Sequence, residues 1–238
     1  MSASANPLAD DSVPTVSAAT AAPSRRVTIV FGSGENTIDP KTGVTKINPK
    51  VRDLTAFFKQ FPYVNLVCID PAIEEIQTLD RQKLGFQKFR DTRQALLNEA
   101  SLQKLREQPG FDEDLCYLFV EDTSLYINGR NFPATFVKWF LSAGAYKDEL
   151  LKRSPETDEA HYFSSFTFGK MFGDDVSFLE AEVLGRLCDP EGVGMIDNQL
   201  IPQGCDIRIA LMTLAQRMME HPRFIALRML MEALGLAL

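Results

Sequence analysis

Two adjacent carboxylates, Glu121 and Asp122, follow directly on the apolar run Leu115-Cys116-Tyr117-Leu118-Phe119-Val120. A run so rich in aromatic and β-branched residues reads as a strand buried on both faces, and α/β sheets build their sites where such strands leave the core. The chemistry that two carboxylates offer there is the capture of positive charge, so something cationic should meet them. The other reading is local: Asp122 caps a turn, with Thr123 and Ser124 bonding to nearby backbone. On this segment alone both stand.

Few other residues suggest chemistry by themselves. Cys68, Cys116, Cys188 and Cys205 are widely spaced and form neither a CxxC pair nor a Cys/His cluster, so their spacing offers no zinc site. His161 opens a strand-like segment and reads as structural or exposed, while Cys116 and Cys188 read as small core side chains.

The elements that must position the acidic pair follow from periodicity. Arg26-Val27-Thr28-Ile29-Val30-Phe31 is a strand stopped by Gly32-Ser33-Gly34, a turn that glycine negotiates easily. Pro49 opens a helix over PKVRDLTAFFKQF, which places Val51, Leu54, Phe57 and Phe58 on one face. Asn65-Leu66-Val67-Cys68-Ile69 is a second strand, and strand, glycine turn, helix, strand predicts a mixed or parallel sheet. Residues 79–107 read as one long helix or two shorter ones. Pro133 and Gly144 carry the start and stop signals of a further helix. Residues 161–170 and 176–186 read as paired strands joined at Gly173-Asp174-Asp175, and the last 30 residues as a helix or two. The expected organisation is an Ala/Ser/Pro-rich disordered tail over residues 1–25, then one α/β domain over 26–238 with a mixed central sheet and flanking helices.

Composition narrows the function. With 238 residues and 45% hydrophobic content the chain can bury a sizeable core. A net charge of −7 without a compensating basic run argues against a coat for nucleic acid or for an anionic membrane, but leaves room for a basic pocket that takes a phosphorylated small molecule. No apolar segment approaches the roughly 20 residues needed to span a bilayer. With no signal peptide and with Asp10 and Asp11 unlike a transit peptide, the cysteines are expected as reduced thiols in the cytoplasm.

The stretch VEDTSLYINGRNFPATFVKWFL, residues 120–141, resembles the inosine triphosphate pyrophosphatase family, the Ham1 or non-canonical purine nucleotide pyrophosphatases. That family's pattern is an apolar strand, E-D-(S/T)-x-L, then L-P-G-x-(Y/F) and a basic residue before an aromatic pair. Here the two acids, Pro133, Lys138, Trp139 and Phe140 match. The resemblance continues in order: Ile29 to Asn36 is similar to the family's first strand and T-G-N loop, and Lys50-Val51-Arg52-Asp53-Leu54 to its helix start. Glu75-Ile76-Gln77-Thr78 is similar to E-x-Q-G, and His221-Pro222-Arg223 to S-H-R.

The resemblance implies two lobes around a long cleft, a homodimer, and Mg²⁺-dependent hydrolysis of deaminated purine triphosphates such as ITP, XTP and dITP to the monophosphate and pyrophosphate. It makes Glu75 and Asp122 the carboxylates that hold the ion or its waters, with Asp122 also orienting or deprotonating the attacking water. Lys50, Asn36 and the Gly32 to Gly34 backbone would hold phosphates. Lys138 and Arg223 would neutralise charge on the transferring phosphate and the leaving pyrophosphate.

The base-binding half departs from the pattern. The family's F-G-(W/Y)-D-P falls on Gly194-Met195-Ile196-Asp197, which keeps Asp197 and lacks the stacking aromatic. By analogy with stacked nucleic-acid bases, that loss removes about 1–3 kcal/mol of base binding. His221 stands either at the serine of S-H-R or, with one inserted residue, at its histidine, and Arg217 replaces a lysine. About ten extra residues lie between the first strand and Lys50, around residues 37–47. Three functions therefore stay open: the family's pyrophosphatase activity, an active pyrophosphatase with altered base specificity, and a catalytically impaired nucleotide-binding or protein-interaction module.

Overall fold

The computed structural model describes residues 26–33, 37–38, 45–46, 48–74, 78–127, 130–137, 159–188 and 196–236. Strand β1 (Val27–Gly32) is buried along its whole length. A strand apolar on both faces belongs in the interior of a parallel sheet, and β1 pairs in parallel with β4 (Val64–Ile69) on one side and β5 (Cys116–Ile127) on the other. Helix α1 (Pro49–Phe58) leads from β1 toward β4; Asn48 caps it by accepting from the Lys50 N–H, and Pro49 occupies its first turn. Two helices, α2 (Arg81–Leu96) and α3 (Glu99–Arg106), lead from β4 to β5. There are two because the Asn98 side chain accepts from the Ser101 N–H and caps a new start.

Beyond β5 the sheet turns antiparallel, through β7 (Glu159–Lys170), β8 (Val176–Leu187) and the short β9 (Leu200–Pro202). Strand β6 (Arg130–Ala134) pairs with the far end of β5, completing a seven-stranded mixed sheet. A small hairpin, β2 (Thr37–Ile38) with β3 (Thr45–Lys46), occupies the stretch of extra residues. Helices α4 (Leu214–Glu220) and α5 (Pro222–Ala233) follow.

The helices divide between the two faces. Ile29, Phe31 and Phe119 pack with Leu54 and Phe57 of α1 and Phe224 of α5. Val30, Leu118 and Val120 pack with Phe89 and Leu96 of α2 and Leu105 of α3. Connections on opposite faces of β1 make its carboxyl end a topological switch point, where a crevice opens between them.

Two expectations are corrected here. The central strand does not stop at Val120: β7 pairs with β5 from Tyr117 opposite Lys170 to Ile127 opposite Ala160, and that ladder carries β5 past both acids. Asp122 is thus inside a strand rather than capping a turn. Pro133 and Ala134 belong to β6, opposite Tyr126 and Leu125, and the helix expected after them lies outside the described residues from position 138 on.

The β7–β8 hairpin depends on a close backbone approach at Gly169, where an added Cβ would lie 2.1 Å from the Asp175 carbonyl oxygen. Backbone gives way less easily than a side chain. Gly169→Ala should lower stability by about 1–3 kcal/mol, measured by urea unfolding.

Candidate active site

Successive residues of a strand point to opposite faces, so Glu121 and Asp122 serve two environments. Glu121 faces α1 and α5, inside the molecule. It is 2% exposed. Its carboxylate accepts from Arg223 Nε at 2.8 Å and 3.1 Å and from the Ser164 hydroxyl at 2.8 Å, and lies 3.5 Å from Lys50 Nζ. Burial alone would raise its pKa; Arg223, Lys50 and these hydrogen bonds outweigh burial and bring it down to about 2.

The network extends from there. Arg223 Nη1 donates to Asp53 Oδ2 at 2.7 Å, and Arg217 Nη2 to the same oxygen at 2.6 Å. Asp53 sits one turn after Lys50 on α1, so the helix carries a cation and an anion into the same space. Arg217 Nη2 also lies 3.8 Å from Asp197 Oδ2. The Arg223 backbone N–H donates to His221 Nδ1 at 3.0 Å, and His221 Nε2 lies 3.2 Å from Asp197 Oδ1. Tyr162 donates to Asp197 Oδ1 at 3.4 Å. Burial of Asp197 would raise its pKa, but His221, Arg223 and Arg217 hold it well below the ordinary carboxylate range.

Asp122 points to the other face, toward α2. It lines a crevice of about 180 Å³ with Gly32, Ser33, Asp70, Glu74, Lys88 and Asp91. This is the switch point: Gly32 and Ser33 end β1, and Asp70 and Glu74 follow β4. Lys88 reaches in from α2, donating to the Glu121 carbonyl at 2.8 Å and standing 3.8 Å from Asp122 Oδ1. The two environments meet beyond the end of β1. Burial lowers the pKa of Lys50, and Glu121, Lys88, Arg223 and Asp122 all act on it as charges.

The structure therefore brings Lys50, Asp122, Asp197, Arg217, His221 and Arg223 into one region. Gly34, Asn36, Glu75 and Lys138 lie outside the described residues. Arg223 is 4% exposed, with Nε and Nη1 already given to Glu121 and Asp53, so from those two nitrogens a substrate receives field rather than hydrogen bonds. Sequence reading missed Lys88, Asp53 and Tyr162 as members of the site. A signal existed for the first two. Asp53 precedes Leu54 on the apolar face of α1, and Lys88 stands one turn after buried Leu84 on α2. A charge inside an apolar stripe needs a partner.

Among the described residues no three His, Cys, Asp or Glu side chains converge as a ready-made metal site, and no helix is long and apolar enough to cross a membrane. The crevice is nonetheless strongly acidic. Among the described residues four carboxylates, Asp70, Glu74, Asp91 and Asp122, line it against one ammonium, Lys88.

No curated protein matches the sequence. Solved structures do match the fold. The Ham1 protein of Staphylococcus aureus is 15% identical, with a TM-score of 0.58 over 87% of this chain and 98% of that one. A Ham1 protein from Coxiella burnetii is 13% identical, with a TM-score of 0.58 over 88% and 98%. A nucleoside-triphosphatase, or dITP/XTP pyrophosphatase, from Mycobacterium abscessus is 17% identical, with a TM-score of 0.50 over 85% and 97%. At these identities the structures establish the α/β architecture alone. A model of the Ham1 family matches residues 41–233, which take in β3, α1 with Lys50 and Asp53, β5 with its two acids and α5 with Arg223, and the chain belongs to that family.

Proposed function

We propose that the chain is a divalent-metal-dependent nucleoside triphosphate pyrophosphatase that cleaves non-canonical purine triphosphates between the α and β phosphates. The observation that carries this reading is the crevice at the end of β1, where Asp122 and three further carboxylates face Lys88. A triphosphate is itself strongly anionic and would be repelled by four carboxylates, unless a cation joins the two. Hard oxygen donors in excess over ammonium suit Mg²⁺, which takes one or two carboxylates and keeps several waters. Asp122 and Glu75 would hold it, and when bound it would neutralise phosphate charge and lower the pKa of bound water.

The chain's own groups then divide the work. Asp122 orients the attacking water and takes its proton. The amino end of α1, with Lys50, and the backbone around Ser33, Gly34 and Asn36 receive phosphate oxygens. Lys88 and Lys138 neutralise charge developing on the phosphates, while Arg223 contributes from behind through Glu121. The buried group of Asp197, His221 and Arg217 lies on the other face and reads the base. The working unit is a homodimer in the cytoplasm.

Lys88→Met tests the new member of this set. With the Lys88 ammonium gone from the crevice, kcat should fall about a hundredfold, read under saturating nucleotide and metal.

The reading itself is tested by pyrophosphate release from inosine, xanthosine, deoxyuridine and the standard triphosphates, with Mg²⁺ and then with excess chelator. Release that is chelator-sensitive and fastest for the deaminated purines is expected. Comparable rates across bases would instead support altered specificity, the reading favoured by Ile196 where the family has its stacking aromatic. No release from any nucleotide by folded protein would leave a binding or interaction module.

A further inference from the structure

The first residue of α2 makes a contact with the sheet that the chemistry described above leaves unused. Arg81 donates from Nε to Glu180 Oε2 and from Nη2 to Glu180 Oε1, both at 2.8 Å. The centre of its guanidinium stands 4.2 Å from the middle of the Phe163 ring and 4.9 Å from that of Tyr126. Glu180 is steadied in turn by the Ser165 hydroxyl, which donates to Oε2 at 3.2 Å. One side chain of α2 thus grips three strands, β5 at Tyr126, β7 at Phe163 and β8 at Glu180. The ion pair is partly exposed, at 23% and 30% for the two side chains, and a pair so open to water contributes little to stability. A planar fork held on one carboxylate and laid on two rings fixes a direction instead.

That direction bears on the crevice through the sheet and through the helix. Asp122 on β5 is opposite Ser165 on β7, and Ser165 is opposite Glu180 on β8. The clamp is therefore anchored in the same cross-strand row as the acid of the site. Along α2, Arg81, Gly85, Lys88 and Thr92 share one face, spaced by four, three and four residues. At Gly85 the helix backbone lies so near β7 that an added Cβ would stand 2.2 Å from Thr167 Oγ1. Thr92 reaches the end of β1, where a Cβ on Gly32 would lie 2.4 Å from its Cγ2. Between these contacts Lys88 makes its 2.8 Å bond to the Glu121 carbonyl. In the first turn Gln82 and Lys83 are exposed, and Arg81 fastens the helix to the sheet. Lys88 stands about 10 Å further along the same rod, so a tilt at the first turn displaces its ammonium.

We infer that Arg81 is a positioning residue of the site: its clamp on β5, β7 and β8 sets the angle of α2 on the sheet and thereby the reach of Lys88 into the crevice. The effect on turnover rests on the pyrophosphatase reading, whereas the effect on Lys88 rests on the geometry alone.

Arg81→Met removes the fork and keeps an unbranched side chain, so the fold should survive, which the melting temperature verifies. Under saturating nucleotide and metal, kcat should fall about ten- to a hundredfold, the cost of displacing a positioned group by roughly an ångström, with KM changed less. Arg81→Lys keeps the charge without the fork and should recover little of the loss. In a Lys88→Met background Arg81→Met should cost nothing further, because a residue that acts through Lys88 then has nothing to place. Lysine labelled with ¹³C at Cε reports the placement without turnover. The Lys88 resonance, identified by its absence from Lys88→Met, should move toward those of exposed lysines in Arg81→Met. That of Lys50, held at Glu121 on the other face, should stay. A Lys88 resonance that does not move overturns the proposal. So does one that moves together with that of Lys50, or a loss in kcat that is as large in the Lys88→Met background. If the natural chain hydrolyses no nucleotide, the pyrophosphatase reading fails and the Lys88 resonance still decides the role of Arg81.

Discussion

Asp122→Asn should reduce pyrophosphate release by about a hundred- to ten-thousandfold, the range expected when a positioned general base is removed. Asparagine keeps the size and one acceptor oxygen of the side chain but can neither take a proton nor supply the negative charge that a divalent ion prefers. Strand β5 should be undisturbed, because Asp122 is held in it by backbone pairing to Ser165 on β7 and its side chain points into the crevice. The defect should therefore fall on kcat, with the melting temperature unchanged, and extra Mg²⁺ should recover little of it. Turnover within tenfold of the natural chain would move the role of base to another carboxylate of the crevice. Asp70, Glu74 and Asp91 would be the next to replace.

Glu121→Gln should have the opposite character, a loss of stability. Glu121 is the anion between Arg223 and Lys50 in an enclosed space, and removing one partner of a buried pair costs about 3–5 kcal/mol because the other charge is left uncompensated. The pH dependence gives an independent check on this size. The carboxyl pKa falls from an ordinary 4.5 to about 2 in the folded chain, a difference equivalent to about 3 kcal/mol. A group whose folded pKa is depressed contributes stability above its unfolded value and loses that contribution as pH falls toward the folded one. The stability gap between the natural chain and Glu121→Gln should thus be full above pH 4.5 and shrink steadily toward pH 2. Asp197 also titrates in acid, but it is common to both proteins and cancels in the difference. Urea unfolding at a series of pH values measures the gap. A gap that stays constant across this range would show that Glu121 matters for shape rather than for charge.

These two neighbours show how far the residues themselves carry the reading. The apolar run, the acids after it and the expectation that a cation meets them were all available from the order of amino acids. So were β1, α1 with Pro49 in its first turn, and the β7–β8 hairpin with Gly173 in its turn. Each of these depends on contacts between residues close in the chain: a cap and the N–H two residues on, a turn and its flanking strands. The family resemblance added Lys50 and Asp122 as parts of one site; in the fold Asp122 lines the crevice at the end of β1 and Lys50 Nζ lies 3.5 Å from Glu121 beside it.

What the sequence could not determine was which face each acid serves. That followed from the length of β5, and β5 is long because β7, which begins some thirty residues later, pairs with all of it. Only then do Glu121 and Asp122 part, one inward and one into the crevice. The cation that meets Glu121 most closely is Arg223, 102 residues away, and the same arginine binds Asp53, 170 residues away. No local pattern encodes such distances. They are set when α1 and α5 pack on one face of the sheet and the apolar cores close around charges that have nowhere else to find a partner. Lys88 entered the site in the same way, carried to the crevice by α2 on the other face. The sequence by itself determined the elements and most of the groups able to do chemistry; the tertiary structure decided which of them face one another, because burial forces every charge it encloses to be matched across the fold.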